Sequence, residues 1–482
     1  MLTSIQIKNL KAFREVRLDL KPITILAGAN SAGKSSIIQA FLLLKQTLEG
    51  RRNKQLSLYG EYLNFSRYED LVFAHKRDEP IEFSLERRSL VLPEGLNRKR
   101  LTSFFSEAEL MVILANDQKE KIRSSYDISF DVSGKKATDL IRVKSWHASS
   151  VLAGLERRQI ECQLGRDGES YYGSINIPDP LSGLVRSHTL QGKSTQKSPW
   201  RYFLPDGFTY QARPRALPLP TDLLGISDFR DDLSDHLHYL GPIRIEPRRA
   251  YMVLGDRLEL DFRGKNTAQI LLQEAEEPVD YPDKDGSIRR VPLLDAVNLG
   301  LRLVGLQQSI IPVKRDGSIT QLLLGLIGDE SHSVNIVDVG FGVSQILPII
   351  VACLRSRRGD TLIFEQPETH LHPRLQAGLA DFFVLLRNLG KRVLVETHSD
   401  HIINGLRLRI AEDLSDSLAR DIELAFVRPP KEKGEGSRLE QLQFDEFGMI
   451  INWPPEFMSE SMKQAQQILR LGVEKQRKKR AQ

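Results

Sequence analysis

GANSAGKSS, residues 28–36, decides how the rest of the chain is read. It fits G-x-x-x-x-G-K-[ST], with Gly28, Gly33, Lys34 and Ser35 in register and Asn30 and Ser36 in and beside the turn. ITILAG precedes it, an apolar β-branched run, and SSIIQAFLLLKQTL follows, long and apolar enough for a partly buried helix. The loop is therefore expected between a strand and a helix. Glycines there let the backbone turn tightly, so that its N–H groups face phosphate oxygens. The helix N-terminus adds partial positive charge. Lys34 reaches the β- and γ-phosphates and Ser35 holds Mg²⁺. These residues predict a site for ATP and Mg²⁺.

Composition sets the outer limits. The chain has 482 residues, 40% of them apolar and 27% charged, enough for two or three domains with a substantial core. No apolar run approaches the length of a membrane-spanning helix, and MLTSIQIKNLKAF lacks the apolar stretch of a signal peptide. Two cysteines, Cys162 and Cys353, form neither a metal hook nor a disulfide framework. A cytoplasmic protein with no membrane association is expected. The net charge of +5 is mild, so its distribution matters more than its total.

Patterning divides the chain into four parts. Residues 1–80 carry alternating strands and the phosphate loop. Residues 81–240 hold short strand-like runs (IEFSLE, YDISFDVS, RQIECQLG) and a helical segment near 100–122, predicting a mixed α+β insertion. Residues 241–420 return to strand–helix alternation, which argues for a parallel sheet with covering helices. Residues 421–482 are expected to form a small C-terminal domain and a basic tail.

The late alternating block carries the second half of the chemistry. TLIFEQPETHLHP, residues 361–373, is an apolar strand that ends at Glu365. A carboxylate at the carboxyl end of a strand beside a phosphate loop is placed to hold Mg²⁺. Glu368, three residues on, suits a general base or water-orienting group; the competing reading is a solvated loop acid. RVLVETHSDHII ends another apolar strand at His398, which either contacts the γ-phosphate or is a hydrogen-bonded strand-end histidine.

VGFGVSQILPI, residues 339–349, is a Gly-containing turn with Ser344 and Gln345 at a helix start. It resembles the signature motif of ATP-binding-cassette ATPases in the degenerate form of SMC-like enzymes. Ser344 lies 21 residues before Glu365 and His398 lies 33 after it, spacings that suit the family. IQIKNLKAF resembles the opening of SMC-like heads, with Lys11 near where an arginine often touches nucleotide. The chain thus resembles SMC-like, OLD-like ABC-type AAA ATPases. ETHLHP stands where the D-loop is expected, Glu365 replaces the more usual Asp, and residues 62–73 are the candidate Q-loop. LGPIRIEPRRAY (240–251) and FDEFGMIINWPPEFM (444–458) resemble ATPase subunits of bacterial anti-phage systems, Septu-like and PARIS-like. The resemblance implies an α/β, ABC-type P-loop ATPase head. It implies a head-to-head dimer in which Gly342 and Ser344 of one head meet the nucleotide held by Lys34, Glu365, Glu368 and His398 of the other.

OLD nucleases carry a toprim domain after the ATPase. The 84 residues after His398 contain no D-x-D, so a nuclease or toxin effector is expected on a separate protein. DNA is a candidate ligand. Arg186, Lys193, Lys197, Arg201, Arg213 and Arg215 lie among Trp200, Tyr202, Phe203, Phe208 and Tyr210, a mixture suited to phosphate contact and base stacking. The competing reading makes those aromatics a local core. KQRKKR, residues 475–480, is either a nucleic-acid contact or a solvated tail. Two functions follow: an ATP hydrolase that senses or clamps DNA, or an ATP-gated scaffold that binds protein.

Overall fold

A computed structural model of the chain describes residues 1–50, 55–89, 122–132, 141–152, 159–167, 170–178, 185–192, 200–205, 208–212, 215–218, 224–252, 258, 260–283, 286–316, 319–326, 329–432, 434–452, 454 and 467–472. Two large sheets share the front of the chain. Strands β1 (Leu2–Leu10) and β2 (Phe13–Asp19) pair antiparallel, and β3 (Ile23–Gly28) leaves them for a second sheet. The phosphate loop then leads into α1 (Lys34–Glu49).

β3 is central to a seven-stranded sheet. Its neighbours come late in the chain. β4 (Leu237–Leu240), β5 (Thr361–Glu365) and β6 (Arg392–Glu396) lie on one side, in the order β4-β5-β6-β3. β7 (Ile422–Arg428) lies on the other, followed by β8 (Arg438–Phe444). The strands from β4 to β7 run parallel, which needs crossover connections. Helices α2 (Phe341–Arg355), α3 (Pro373–Asn388) and α4 (Asp400–Glu412) belong to those connections.

Strand alternation explains why both faces are covered. Ile23, Ile25 and Ala27 point into one core with Phe364, Val395 and the helices α2–α4. Leu26, Ile363, Leu394 and Val427 point into the other, with α1 and the antiparallel sheet. Each fully buried Ile, Leu or Val contributes roughly 1.5–3 kcal/mol relative to exposure.

The boundaries expected at 80/81, 240/241 and 420/421 do not coincide with the edges of these sheets. Strand Ile81–Ser89 pairs directly with β1, and eight of the described strands of residues 81–218 extend the sheet that β1 and β2 begin to ten strands, while Trp200–Arg201 and Leu204–Pro205 pair only with each other. β4 pairs with β5 and is therefore part of the parallel sheet rather than of the insertion. β7, expected in a separate small domain, lies beside β3 along its whole length, because its run of six buried residues can be covered only between two layers. Within the insertion a described helix spans Ile226–Leu233. The helix expected near 100–122 lies outside the described residues, except that Ile122 opens a strand.

Candidate active site

The site lies at the carboxyl ends of β3, β5 and β6. Gly28 has φ 139°, and a Cβ there would stand 2.3 Å from the Val427 carbonyl oxygen, so β7 closes against the loop. Gly33 has φ 108°, and a Cβ would meet Ala12 of the β1–β2 turn at 2.6 Å. Ala29, Asn30 and Ser31 are exposed at the loop's crest, and Ser36 N–H donates to Gly33 O at 2.9 Å. Gly33 caps α1 without any side-chain hydrogen bond, and no acid occupies the first turn. The helix dipole and its first N–H groups are therefore left to an external anion.

Lys34 is 3% exposed, and its Nζ donates to the carbonyls of Gly28 at 3.0 Å and Ala29 at 2.8 Å. Burial lowers its pKa, against the pull of Glu396 and Glu368. The loop holds its own cation in the space a phosphate suits.

Three glutamates stand around it. Glu365 ends β5 and accepts a hydrogen bond from the Tyr239 hydroxyl at 3.1 Å. Burial raises its pKa to about 7, with repulsion from Glu396 adding to the shift and the Tyr239 bond opposing it. Glu396 ends β6 in register with Glu365 and accepts the Ser35 hydroxyl at 3.0 Å. Its own pKa is raised by burial, against Ser35 and Lys34. Glu368 follows the sharp turn at Gln366 (φ 45°), and its Oε1 accepts the His398 N–H at 2.7 Å. Burial raises its pKa too, which the His398 bond opposes. Oε2 of Glu368 and Oε2 of Glu396 are both shielded from solvent without a hydrogen-bond partner. A buried acceptor left unmade is costly, so these two atoms are openings for a metal, a water or a substrate proton.

The structure thus brings Lys34, Ser35, Glu368 and the backbone of His398 together. The shielded Oε2 removes the reading of Glu368 as a solvated acid. The ring of His398 is largely exposed; partial burial and Lys34 both lower its pKa. Ser35 bonds Glu396, while Glu365, the other expected Mg²⁺ ligand, bonds Tyr239. Gly342 and Ser344 sit in the first turn of α2, where a Cβ on Gly342 would stand 3.6 Å from the His370 carbonyl oxygen. Among the described residues no three His, Cys, Asp or Glu side chains form a metal cage. The donor set of Ser35, Glu365 and Glu396 suits a hard cation that shares its shell with phosphate and water.

Three residues of the site escaped the sequence reading. Glu396 carries the same signal as Glu365, an apolar strand ending in Glu. Tyr239 and Arg244 come from YLGPIR, a stretch whose family resemblance assigns a role to neither side chain.

A phosphate loop at the end of a central parallel strand, with carboxylates ending the next two strands on one side of it, defines an α/β P-loop ATPase fold. A family model described as "AAA domain, putative AbiEii toxin, Type IV TA system" matches residues 23–404, and the chain belongs to that AAA-domain family. Among solved structures the chain is similar to an SMC head bound to the C-terminal winged-helix domain of ScpA (11% identity, TM-score 0.41, 92% of this chain and 98% of that one). It is similar to the SMC head domain from Thermotoga maritima (10%, 0.36, 92% and 99%). A third is an Smc head with an extended coiled coil bound to the C-terminal domain of ScpA, derived from Pyrococcus furiosus (11%, 0.40, 97% and 99%). No curated protein matches the sequence.

Proposed function

We propose that the chain binds ATP with Mg²⁺ and hydrolyses it, as one head of a pair that closes around nucleotide. The observation that carries this reading is the convergence of shielded glutamates on the turn that holds Lys34 and Ser35. Lys34 exchanges the carbonyls of Gly28 and Ala29 for the terminal phosphates. The loop N–H groups and the start of α1 bind the remaining phosphate oxygens. Ser35 and Glu365, with Glu396 beside them, are the residues that would hold Mg²⁺, whose chemistry is to neutralise charge on the phosphates. Glu368, anchored through Oε1, offers Oε2 to orient the attacking water and take its proton. His398 presents its ring beside Lys34. Gly342 and Ser344, on the separate α2 N-terminus, complete the site of a second head in trans. Association then follows ATP, and hydrolysis releases it.

The switch is proposed to sense or clamp DNA and to control a separate effector, a nuclease or toxin, in bacterial defence. The resemblance to anti-phage ATPase subunits and the family description support this step. One observation favours the other reading, an ATP-gated protein scaffold. Phe203 is fully buried against Phe130 and is not free to stack on a base, and the half-buried Tyr202 is tied to the end of α1 through its hydroxyl, which donates to Gly50 O at 3.0 Å. Lys193, Lys197 and Arg213, like the tail 475–480, lie outside the described residues.

Glu368→Gln tests the core of the reading. The variant is expected to bind ATP, fail to hydrolyse it and accumulate as a dimer by light scattering when ATP is present. Hydrolysis at the wild-type rate would remove Glu368 from the mechanism. Absence of DNA binding by anisotropy at about 50 mM salt, where phosphate contacts are strongest, would favour the scaffold.

A further inference from the structure

Arg244 lies in the LGPIR stretch that the proposed hydrolytic mechanism does not use. The segment after β4 runs across the carboxyl ends of the strands and is pinned at two points. Gly241 N–H donates to Phe262 O at 2.8 Å and Ile245 N–H to Arg263 O at 3.0 Å. Between those points the Arg244 side chain turns inward and is 4% exposed.

Its guanidinium is poorly satisfied for so buried a cation. Nη1 donates to the Gln345 carbonyl at 3.5 Å and Nη2 to the Glu365 carbonyl at 3.4 Å, both near the outer limit of a hydrogen bond. Nε has no partner. Burial lowers the Arg244 pKa to about 10, and the charge of Glu368 is the strongest influence opposing that fall. A guanidinium at that value stays charged at neutral pH. Glu368, the acid whose charge acts on it most strongly, has its own unpartnered Oε2.

The two carbonyls belong to the two halves of the proposed catalytic cycle. Gln345 follows Ser344 in the first turn of α2, the turn that would meet the partner head's nucleotide. Glu365 ends β5, three residues before the proposed water-orienting carboxylate. A planar fork with several donors can span two such elements, whereas a point charge cannot.

We infer that Arg244 is a positioning residue that couples the signature turn of α2 to the Glu365–Glu368 segment of the same head. This rests on the reading of Glu368 as the water-orienting group. When the α2 turn shifts on meeting a second head, the guanidinium carries that shift to the turn that aims Glu368. Each head then becomes competent only when its own signature turn is engaged. Coupling of this kind appears as positive cooperativity in ATP turnover.

Steady-state hydrolysis across ATP concentrations, with nucleotide affinity measured separately on the full chain, tests this. Wild-type protein is expected to show a Hill coefficient above one. Arg244→Gln should keep its nucleotide affinity, lose roughly 10- to 100-fold in kcat as expected of a misplaced group, and fall to a Hill coefficient of one. Arg244→Lys, which keeps the charge, should recover part of the rate but not the cooperativity. Wild-type protein without cooperativity overturns the inference. So does an Arg244→Gln protein that hydrolyses normally, or one that loses nucleotide affinity along with rate. Should Arg244→Gln fail to fold, an Arg244→Lys protein with wild-type rate and cooperativity overturns it equally. An inactive Glu368→Gln beside a fully active Arg244→Gln would remove this coupling and leave the proposed mechanism standing.

Discussion

Replacing Glu365 with Gln should make the nucleotide-free protein more stable, although it removes a proposed metal ligand. In the folded chain the Glu365 carboxyl is pushed from its ordinary 4.5 to about 7 by burial and by Glu396. A carboxyl raised in this way binds its proton more tightly folded than unfolded. Its stabilising contribution is complete below the unfolded value and is lost as pH rises through about 7. A shift from 4.5 to about 7, at about 1.4 kcal/mol per unit, makes the ionised group cost on the order of 3 kcal/mol near pH 8. Gln cannot ionise, and its amide oxygen still accepts from Tyr239. With an unfolding entropy of roughly 2 cal/mol/K per residue, about 3 kcal/mol over 482 residues raises Tm by about 3 °C. Thermal unfolding of both proteins from about pH 5 to pH 8 reads this directly. The gap should open as pH rises and shrink towards nothing at the acid end. Mg²⁺ with ATP should reverse the order, because the wild type gains the stronger binding. A variant that is equally or less stable than wild type at about pH 8 without nucleotide would refute the argument.

Lys34→Ala deletes the cation from the loop and should weaken ATP binding by roughly 2–5 kcal/mol, the usual cost of removing one partner of a buried charge pair; undiminished affinity in a fluorescence titration would dismiss the phosphate-loop assignment. Asp360 lies at the opposite end of β5. Burial there would raise its pKa, but bonds from His238, the Arg357 N–H and His236 outweigh burial and hold it below its usual value. Asp360→Asn should therefore be less stable at neutral pH, by about 1.5–3 kcal/mol for charged hydrogen bonds, with the deficit closing as pH falls into the carboxylate range; a deficit that grows in acid would show the sign to be wrong. Mg²⁺–ATP binding should release protons near pH 6–7, because Glu365 must lose its proton to act as a ligand; calorimetry in buffers of different ionisation enthalpy detects this, and a buffer-independent heat would count against it.

The phosphate loop was legible because its chemistry is local. Gly28, Gly33, Lys34 and Ser35, proposed to act on one ligand, lie within eight consecutive residues, and the flanking apolar runs announce the strand and helix. Glu365 and Glu368 were legible for the same reason, as a strand end and the turn after it. Glu396 shows where this kind of reading stops. RVLVE has the same pattern as TLIFE, but the histidine two residues later carries the more recognisable local signal. What sets Glu396 apart is the strand order β5-β6-β3, which puts the end of β6 nearer to Ser35 than the end of β5. Strand order is a non-local property, and the alternation of apolar residues carries no trace of it. Arg244 is hidden in the same way, since its partners are carbonyls about 100 and 120 residues further on. Phe203 and Tyr202 failed in the opposite direction. An aromatic among cations fits a stacking platform and a core equally well until the residues that cover it are known.

β7 shows what such non-local pairing does to the site. Its register runs Ile422 against Ile23 through Val427 against Gly28, the first residue of the phosphate loop. The Val427 carbonyl occupies the space where a side chain on Gly28 would project, so the glycine is required by a strand about 400 residues away as well as by its own φ. Ser437 N–H also donates to Ala12 O at 2.8 Å, on the turn that crowds Gly33. Both glycines of the loop are thus braced by the segment from 422 to 437. Removing that segment would expose one side of β3, free the backbone at Gly28 and Gly33, and dissolve the shape that aims the loop N–H groups. The loop's sequence names the ligand, but the walls that hold the loop in a binding shape come from the other end of the chain.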